Sequence, residues 1–305
     1  MTYRNPREKI ETSKVGGDHL TLKQIDSILA QIQISGIDNA FIIENSALER
    51  LLFNRNLVGL DFTKACEESS IAFLQHFASE IRPLIGNLAE YMLLSKGLYY
   101  WMHNAFSKVF VENLQVNFAA TSRVEVTETN TSIEIPYFNF DCPANNLIIA
   151  DTIASGATIC AALAKYLEHH SIHNIFIFSI AGSVVGGQNI AAFCRLNKIS
   201  LTVVYGLAAF GLAENGFDLS FLHPETITSV KYINKAREVF HNKPVSAVGW
   251  DFGSQAQAIY KYKMLCWLEA EKWGLQDTDV FMMKEPPTDL DLIKKEYSAF
   301  SHGSN

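Results

Sequence analysis

A four-residue apolar run, Leu147-Ile148-Ile149-Ala150, stops at an acid, Asp151, and passes through Ala154-Ser155-Gly156-Ala157-Thr158 into a stretch where Ile159, Leu163 and Leu167 recur at helical spacing. The run has the character of a buried parallel strand, and the spacing predicts a helix from about Gly156. A small-residue turn at a helix N-terminus leaves backbone N–H groups unpaired, with the positive end of the helix dipole behind them. Such a turn binds phosphate, and the hydroxyls of Ser155 and Thr158 add donors. Asp151, at the strand end, is placed to hold sugar hydroxyls, so the ligand expected here is a sugar phosphate. The chain has no G-x-x-x-x-G-K-[ST] and no G-x-G-x-x-G after a strand, which argues against a P-loop or a dinucleotide site. The plainer alternative is an ordinary turn between strand and helix.

The same unit recurs along the chain. Tyr91 to Leu94 read as a strand, followed by Ser95-Lys96-Gly97 and a helix over Leu98 to Phe110. Lys96 can meet an anion and Gly97 allows close backbone approach, although a solvated lysine would look the same. Val116 to Ala120 form the next strand, ending in Thr121-Ser122-Arg123. The alternation from Val124 to Phe140 around Thr129-Asn130-Thr131 predicts a hairpin. Beyond the central unit come a strand over Asn174 to Ile180, Gly186 and Gly187 leading into a helix over Gln188 to Leu196, and a strand over Ser200 to Tyr205. Strands alternating with helices imply a parallel sheet with right-handed crossovers, and ligands bind at the carboxyl ends of such strands. Asp151, Lys96 and Arg123 all fall there. Arg123 is the candidate second cation, with a surface salt bridge as its alternative.

Upstream, Thr21 is expected to cap a helix over Leu22 to Ile34, with Ile25, Ile28, Leu29 and Ile32 on one face. Further helices are expected over Ser46 to Phe53 and Phe62 to Ile81. Downstream, Ser254 to Trp273 read as an aromatic-rich helix, with a charged tail beyond Gly274. The expected division is a helical arm over 1–45, an α/β domain over 46–253, and a C-terminal helix and tail over 254–305.

With 305 residues, 48% hydrophobic and 19% charged, the chain has ample material for a core. A net charge of −7 argues against a general nucleic-acid binder. A polar N-terminus, the lack of a spanning apolar run and the lack of a basic amphipathic stretch point to a cytoplasmic protein away from membranes. Cys66, Cys142, Cys160, Cys194 and Cys266 are scattered without a C-x-x-C, as in a protein with reduced thiols. His169, His170 and His173 suit a helix C-terminus better than a metal site.

The segment Ala150-Asp151-Thr152-Ile153-Ala154-Ser155-Gly156-Ala157-Thr158 resembles the phosphoribosyl pyrophosphate (PRPP) motif of type I phosphoribosyltransferases, in which two acids precede a Thr-Gly-Gly-Thr loop. Asp151 matches the second acid, and Ala150 replaces the first. Leu94-Ser95-Lys96-Gly97 resembles the family's pyrophosphate loop. Ile135-Pro136-Tyr137-Phe138-Asn139-Phe140 resembles the segment returning from its mobile loop. Gly211-Leu212-Ala213-Glu214-Asn215-Gly216-Phe217-Asp218-Leu219 resembles the base-wrapping segment of the uracil branch, although the continuation from Ser220 to Glu225 differs.

The resemblance implies a parallel sheet flanked by helices and an enzyme that transfers phosphoribose from PRPP to a pyrimidine-like or other small heterocycle, releasing pyrophosphate. It implies PRPP contacts from Ser95, Lys96, Gly97, Arg123, Asp151, Thr152, Ala154, Ser155, Gly156, Ala157 and Thr158. Gly216, Phe217, Leu219 and Asp251 would border the acceptor. Asp151, Lys96 and Arg123 would serve the chemistry, with Mg²⁺ at Asp151, in a homodimer. The departures at Ala150 and after Leu219 leave a second reading open: a regulator that binds PRPP or a nucleotide without turnover.

Overall fold

The computed structural model describes residues 22–24, 28–54, 57, 59–94, 96–127 and 130–249. The helix expected over Leu22 to Ile34 is instead two strands, β1 (Leu22–Gln24) and β2 (Leu29–Ile34), and β3 follows over Ile37–Ile43. The described part of the 1–45 arm is therefore sheet. Ala30, Ile32 and Ile34 are buried while Gln31 and Gln33 are more exposed, a period of two that the helical spacing of Ile28, Leu29 and Ile32 had masked. Ile34 pairs with Ile37 across a two-residue Ser35-Gly36 turn, where Gly36 supplies φ +84°.

The chain continues through α1 (Ser46–Phe53), α2 (Gly59–His76), α3 (Ala78–Ile81), β4 (Leu88–Leu94), α4 (Met102–Phe110) and the long hairpin β5 (Gln115–Thr127) and β6 (Asn130–Asn139). Then come β7 (Asn146–Ala150), α5 (Ala157–Leu167), β8 (Asn174–Ser179), β9 (Gly182–Ser183), α6 (Val184–Leu196) and β10 (Ser200–Gly206). Short strands β11 (Ala208–Leu212), β12 (Leu219–Ser220) and β13 (Ile227–Thr228) precede α7 (Val230–Val239). The helix expected over Phe62 to Ile81 is thus two helices, α2 and α3, meeting at Phe77.

One nine-stranded sheet runs β1-β2-β3-β10-β8-β7-β4-β5-β6. It is parallel from β3 to β5 and antiparallel at both margins. Every residue of β7 is buried, as expected of a strand covered on both faces. Ile148, Ala150, Phe178 and Val204 face one core with α1, α2, α4 and α7. Leu147, Ile149, Ile177 and Val203 face the other with α5 and α6.

The windings diverge between β4 and β7. From β4 the chain crosses through α4 to β5 on one side, and from β7 it crosses through α5 to β8 on the other. Pairing between β4 and β7 stops at Glu90 opposite Ile148. Yet β4 goes on pairing with β5 to Leu94, and β7 with β8 to Ala150. The sheet therefore opens at its carboxyl edge at a topological switch point, where α/β folds place their ligands. The opposite edge is sewn shut by asparagines: Asn146 donates to the Asn87 carbonyl at 2.8 Å, and Asn174 donates to Asn146 Oδ1 at 2.7 Å. Among the described residues, no helix is long and apolar enough to cross a membrane.

α7 is fastened to α1 by charge. Glu49 accepts from Lys231 at 2.7 Å, Lys235 at 2.6 Å and the Tyr232 hydroxyl at 3.0 Å. Burial resists ionisation of Glu49, but these donors outweigh it and hold the carboxyl down to about 2. An acid depressed on folding contributes stability above its ordinary pKa and loses it as pH falls through the folded one. Glu49→Gln is therefore expected to cost about 1–2 kcal/mol in urea unfolding at pH 7, with the gap closing as pH falls from 5 towards 2.

Candidate functional site

Two loops meet at the opening between β4 and β7. Asp151 follows β7 directly, and its N–H still bonds the Phe178 carbonyl at 3.2 Å, extending the ladder with β8. Its side chain lies in the crevice with only 6% of the residue exposed. Oδ1 accepts the Thr152 N–H at 2.7 Å. Burial pushes the carboxyl up to about 7, although the Thr152 N–H and the charge of Lys96 act the other way. Tyr100, fully buried, is raised by burial and then by the Asp151 charge, and its hydroxyl accepts the Ile180 N–H at 3.0 Å. Lys96 and Asp151, read separately from the sequence, are thus electrostatic neighbours.

The Lys96 turn is seated by Gly97. A Cβ at Gly97 would lie 3.1 Å from the Ala150 carbonyl oxygen, at the last residue of β7. Glycine is what lets this turn lie on the strand end. The continuous helix expected over Leu98 to Phe110 is broken: Gly97–Tyr100 form a 3-10 turn, Trp101 adopts φ 50°, and α4 begins at Met102. The break places Tyr100 under Asp151. Ser95 lies outside the described residues.

The turn from Asp151 to α5 is held from below by the start of α6. The Ile153 N–H bonds the Ala181 carbonyl at 3.0 Å, and the Ser183 N–H returns to Ile153 O at 2.8 Å. The Ser183 hydroxyl donates to the Ala154 carbonyl and accepts the Gly186 N–H at 2.8 Å, while Asn189 Nδ2 donates to Ser155 O at 2.9 Å. Contact is backbone to backbone. A Cβ at Gly156, which has φ +78°, would fall 2.5 Å from the Gly186 oxygen, and one at Gly186 would fall 2.3 Å from the Ala154 oxygen. This accounts for the glycine pair that was expected to precede α6: Gly186 and Gly187 lie within the helix, because only a bare backbone fits there. Ser183, Gly186 and Asn189 are supports that sequence reasoning missed, and the Gly186-Gly187 doublet was their signal.

Gly156 caps α5 with no side-chain hydrogen bond. Ser155 Oγ accepts the Ala157 N–H at 3.4 Å, and half-buried Ser155 and Thr158 flank exposed Ala157 at this helix start. Thr152 and Ala154 are half-buried on the same rim. A helix N-terminus, a sunken carboxylate and a lysine close enough to act on it have the chemistry to meet a polyanion with hydroxyls.

A second, smaller sheet, the hood, stands at this edge, tied to the turn after Asp151 by the Ile153–Gly182 bridge. β11 pairs with β9, β12 and β13, and the turn after it is locked by Asn215, whose Oδ1 accepts the N–H groups of Phe217 and Asp218, each at 3.0 Å. Gly216, at φ +74°, is in this turn, and Phe217 is 59% exposed beside it. β5 runs beyond its last pairing with β4, Ala120 opposite Leu94, so Arg123 stands on an overhanging ribbon paired with Ile133. The Arg123 guanidinium sits over the Phe217 ring, 5.1 Å from its centroid. Leu219 does not border the mouth as expected: it is 2% exposed in the core, and its carbonyl accepts the Ala247 N–H at 2.7 Å. As the first residue of β12 it is claimed by packing and pairing. Asp251 lies outside the described residues.

The donor set also limits which metal could sit here. Among the described residues, no cluster of three or more His, Cys, Asp or Glu side chains could hold a metal. Asp151, beside Ala150, offers a single carboxylate. That fits a magnesium ion taking most of its oxygens from ligand and water, and does not fit a zinc cage.

No protein-family model matches the sequence, and no curated protein matches it. Among solved structures, the AQ2163 protein of Aquifex aeolicus is similar over 57% of this chain and 95% of its own, at 18% identity and TM-score 0.42. A hypoxanthine-guanine phosphoribosyltransferase of Bacillus anthracis is similar over 37% and 68%, at 13% identity and TM-score 0.28. An orotate phosphoribosyltransferase of Mycobacterium tuberculosis, in complex with PRPP, is similar over 53% and 89%, at 12% identity and TM-score 0.34. Scores this low decide neither the fold nor the activity; the fold is read from the strand order.

Proposed function

We propose that this chain is a phosphoribosyltransferase that uses PRPP to ribosylate a pyrimidine-like or other small heterocycle, with release of pyrophosphate. The observation that carries the reading is the meeting of the Asp151–Thr158 turn with the Lys96–Gly97 turn at the switch point. The first matches the sugar-phosphate motif and the second the pyrophosphate loop.

The residues divide the ligand between them. The backbone from Gly156 to Thr158 and the hydroxyls of Ser155 and Thr158 hold the 5-phosphate. Asp151 accepts from the ribose hydroxyls, and Lys96 and Arg123 take the pyrophosphate. As the bond from the anomeric carbon to pyrophosphate breaks, positive charge grows on the sugar and negative charge on the leaving group. The cations stabilise the second, and Asp151 stands beside the first. Asp151 would also hold a magnesium ion, which when bound neutralises pyrophosphate charge. The hood around Gly216 and Phe217 borders the acceptor and helps to keep water out.

A second reading is favoured by one observation. Ala150 stands in place of the first acid, and Asp151 is buried enough to hold a proton near neutrality. A protein with so weakened a sugar grip would bind PRPP without turning it over. The test is pyrophosphate release from PRPP and Mg²⁺ across a panel of pyrimidines and other heterocycles. Release dependent on one acceptor, and reduced on the order of tenfold or more in Lys96→Ala, is the expected result. Saturable PRPP binding with no release from any acceptor would favour the regulator.

A further inference from the structure

We infer that Phe217 is a positioning residue for Arg123: its ring clasps the overhanging β5–β6 ribbon to the hood and holds the guanidinium in place for the pyrophosphate. The inference rests on the proposed function and adds a role to a residue so far read only as an acceptor neighbour. Phe217 is 59% exposed, yet the turn presenting it is tightly built, with Asn215 bonding two N–H groups and donating to Asp218 Oδ2 at 2.7 Å. A rigid turn that holds an aromatic ring out into solvent has spent order on display rather than burial.

What meets the ring is the Arg123 guanidinium, its central carbon over the ring. Cation–π attraction holds the cation through its charge, while a guanidinium recognises phosphate through forked N–H donors, so one group can meet both ring and ligand. Without the ring, Arg123 would be a long exposed side chain on a ribbon unsupported by β4, and binding would have to order it. With one face of Phe217 covered by Arg123, the acceptor reaches the hood through its backbone and the other face, so the two substrate halves are coupled through one side chain.

The test is a double-mutant cycle on PRPP binding, by calorimetry with Mg²⁺ on the full chain. Phe217→Leu is expected to weaken binding about fivefold, and Phe217→Trp or Phe217→Tyr to restore it. In an Arg123→Gln background, Phe217→Leu should have no further effect. Equal losses in both backgrounds, or no loss in the parent background, would overturn the positioning role. If the parent does not bind PRPP, the proposed function fails instead. The clasp is then judged in the ligand-free protein, where Phe217→Leu must speed amide exchange over residues 119–124, and unchanged exchange would refute it.

Discussion

Asp151→Asn is expected to stabilise the protein at pH 8 while disabling it. In the folded state burial lifts this carboxyl from 3.8 to about 7, so between those values the folded chain holds a proton that the unfolded chain gives up. Stability then falls as pH rises through that window, because the native state binds more protons than the denatured one. The full cost is present above pH 7 and amounts to about 2–4 kcal/mol. The amide has no charge to bury and can still accept the Thr152 N–H through its oxygen. Urea unfolding should therefore show Asp151→Asn more stable than the parent at pH 8, with the gain disappearing as pH approaches 4. A parent with no such pH dependence would mean that Asp151 is solvated. PRPP-dependent turnover should fall on the order of 10- to 100-fold, the worth of hydrogen bonds to a charged acceptor. A residue that costs stability where it stands is what a binding site requires, and an ordinary strand end does not.

The second large effect is expected at Gly156→Ala. The new methyl would meet the Gly186 oxygen at 2.5 Å, and φ is +78°, a conformation that favours glycine. Neither side can yield easily. The α6 backbone is pinned by Gly187, where a Cβ would lie 2.0 Å from the Tyr205 hydroxyl, and the loop is pinned by Ser183 and Asn189. A cost of about 3 kcal/mol in urea unfolding is expected, with PRPP affinity reduced by more than tenfold. Gly216→Ala is the control: its φ of +74° is similar but nothing lies within 4 Å of the added methyl, so it should cost about 1 kcal/mol. Equal costs at the two glycines would show that backbone conformation matters there and contact with α6 does not.

The contrast between these glycines shows what could be read from sequence. The central unit was legible because its signal is local: a buried apolar run, an acid, small residues and a helical stripe lie within about twenty consecutive positions. Lys96 was legible through order, since it follows the end of a strand, whereas Arg123, expected just beyond a strand ending at Ala120, lies inside β5, which pairs on with β6 to Thr127. The N-terminal strands were not legible, because Ile28, Leu29 and Ile32 satisfy a helical period while Ala30, Ile32 and Ile34 satisfy a strand period. What decides between them is pairing of β3 with β10, some 160 residues away. Leu219 was misplaced for a related reason. The motif it follows is a turn, but the strand after the turn pairs back on Leu212 and drives the side chain into the core. The supports of the phosphate turn, and the meeting of Arg123 with Phe217, are tertiary and leave in the sequence only a glycine doublet and an isolated aromatic.

The most direct test of the central claim is calorimetric titration of PRPP, with Mg²⁺, into the parent protein, Asp151→Asn and Gly156→Ala. The meeting of the two turns at the switch point as a PRPP site requires saturable binding of one PRPP per chain in the parent, weakened by both substitutions. Binding absent from the parent, or left unchanged by both, would contradict it.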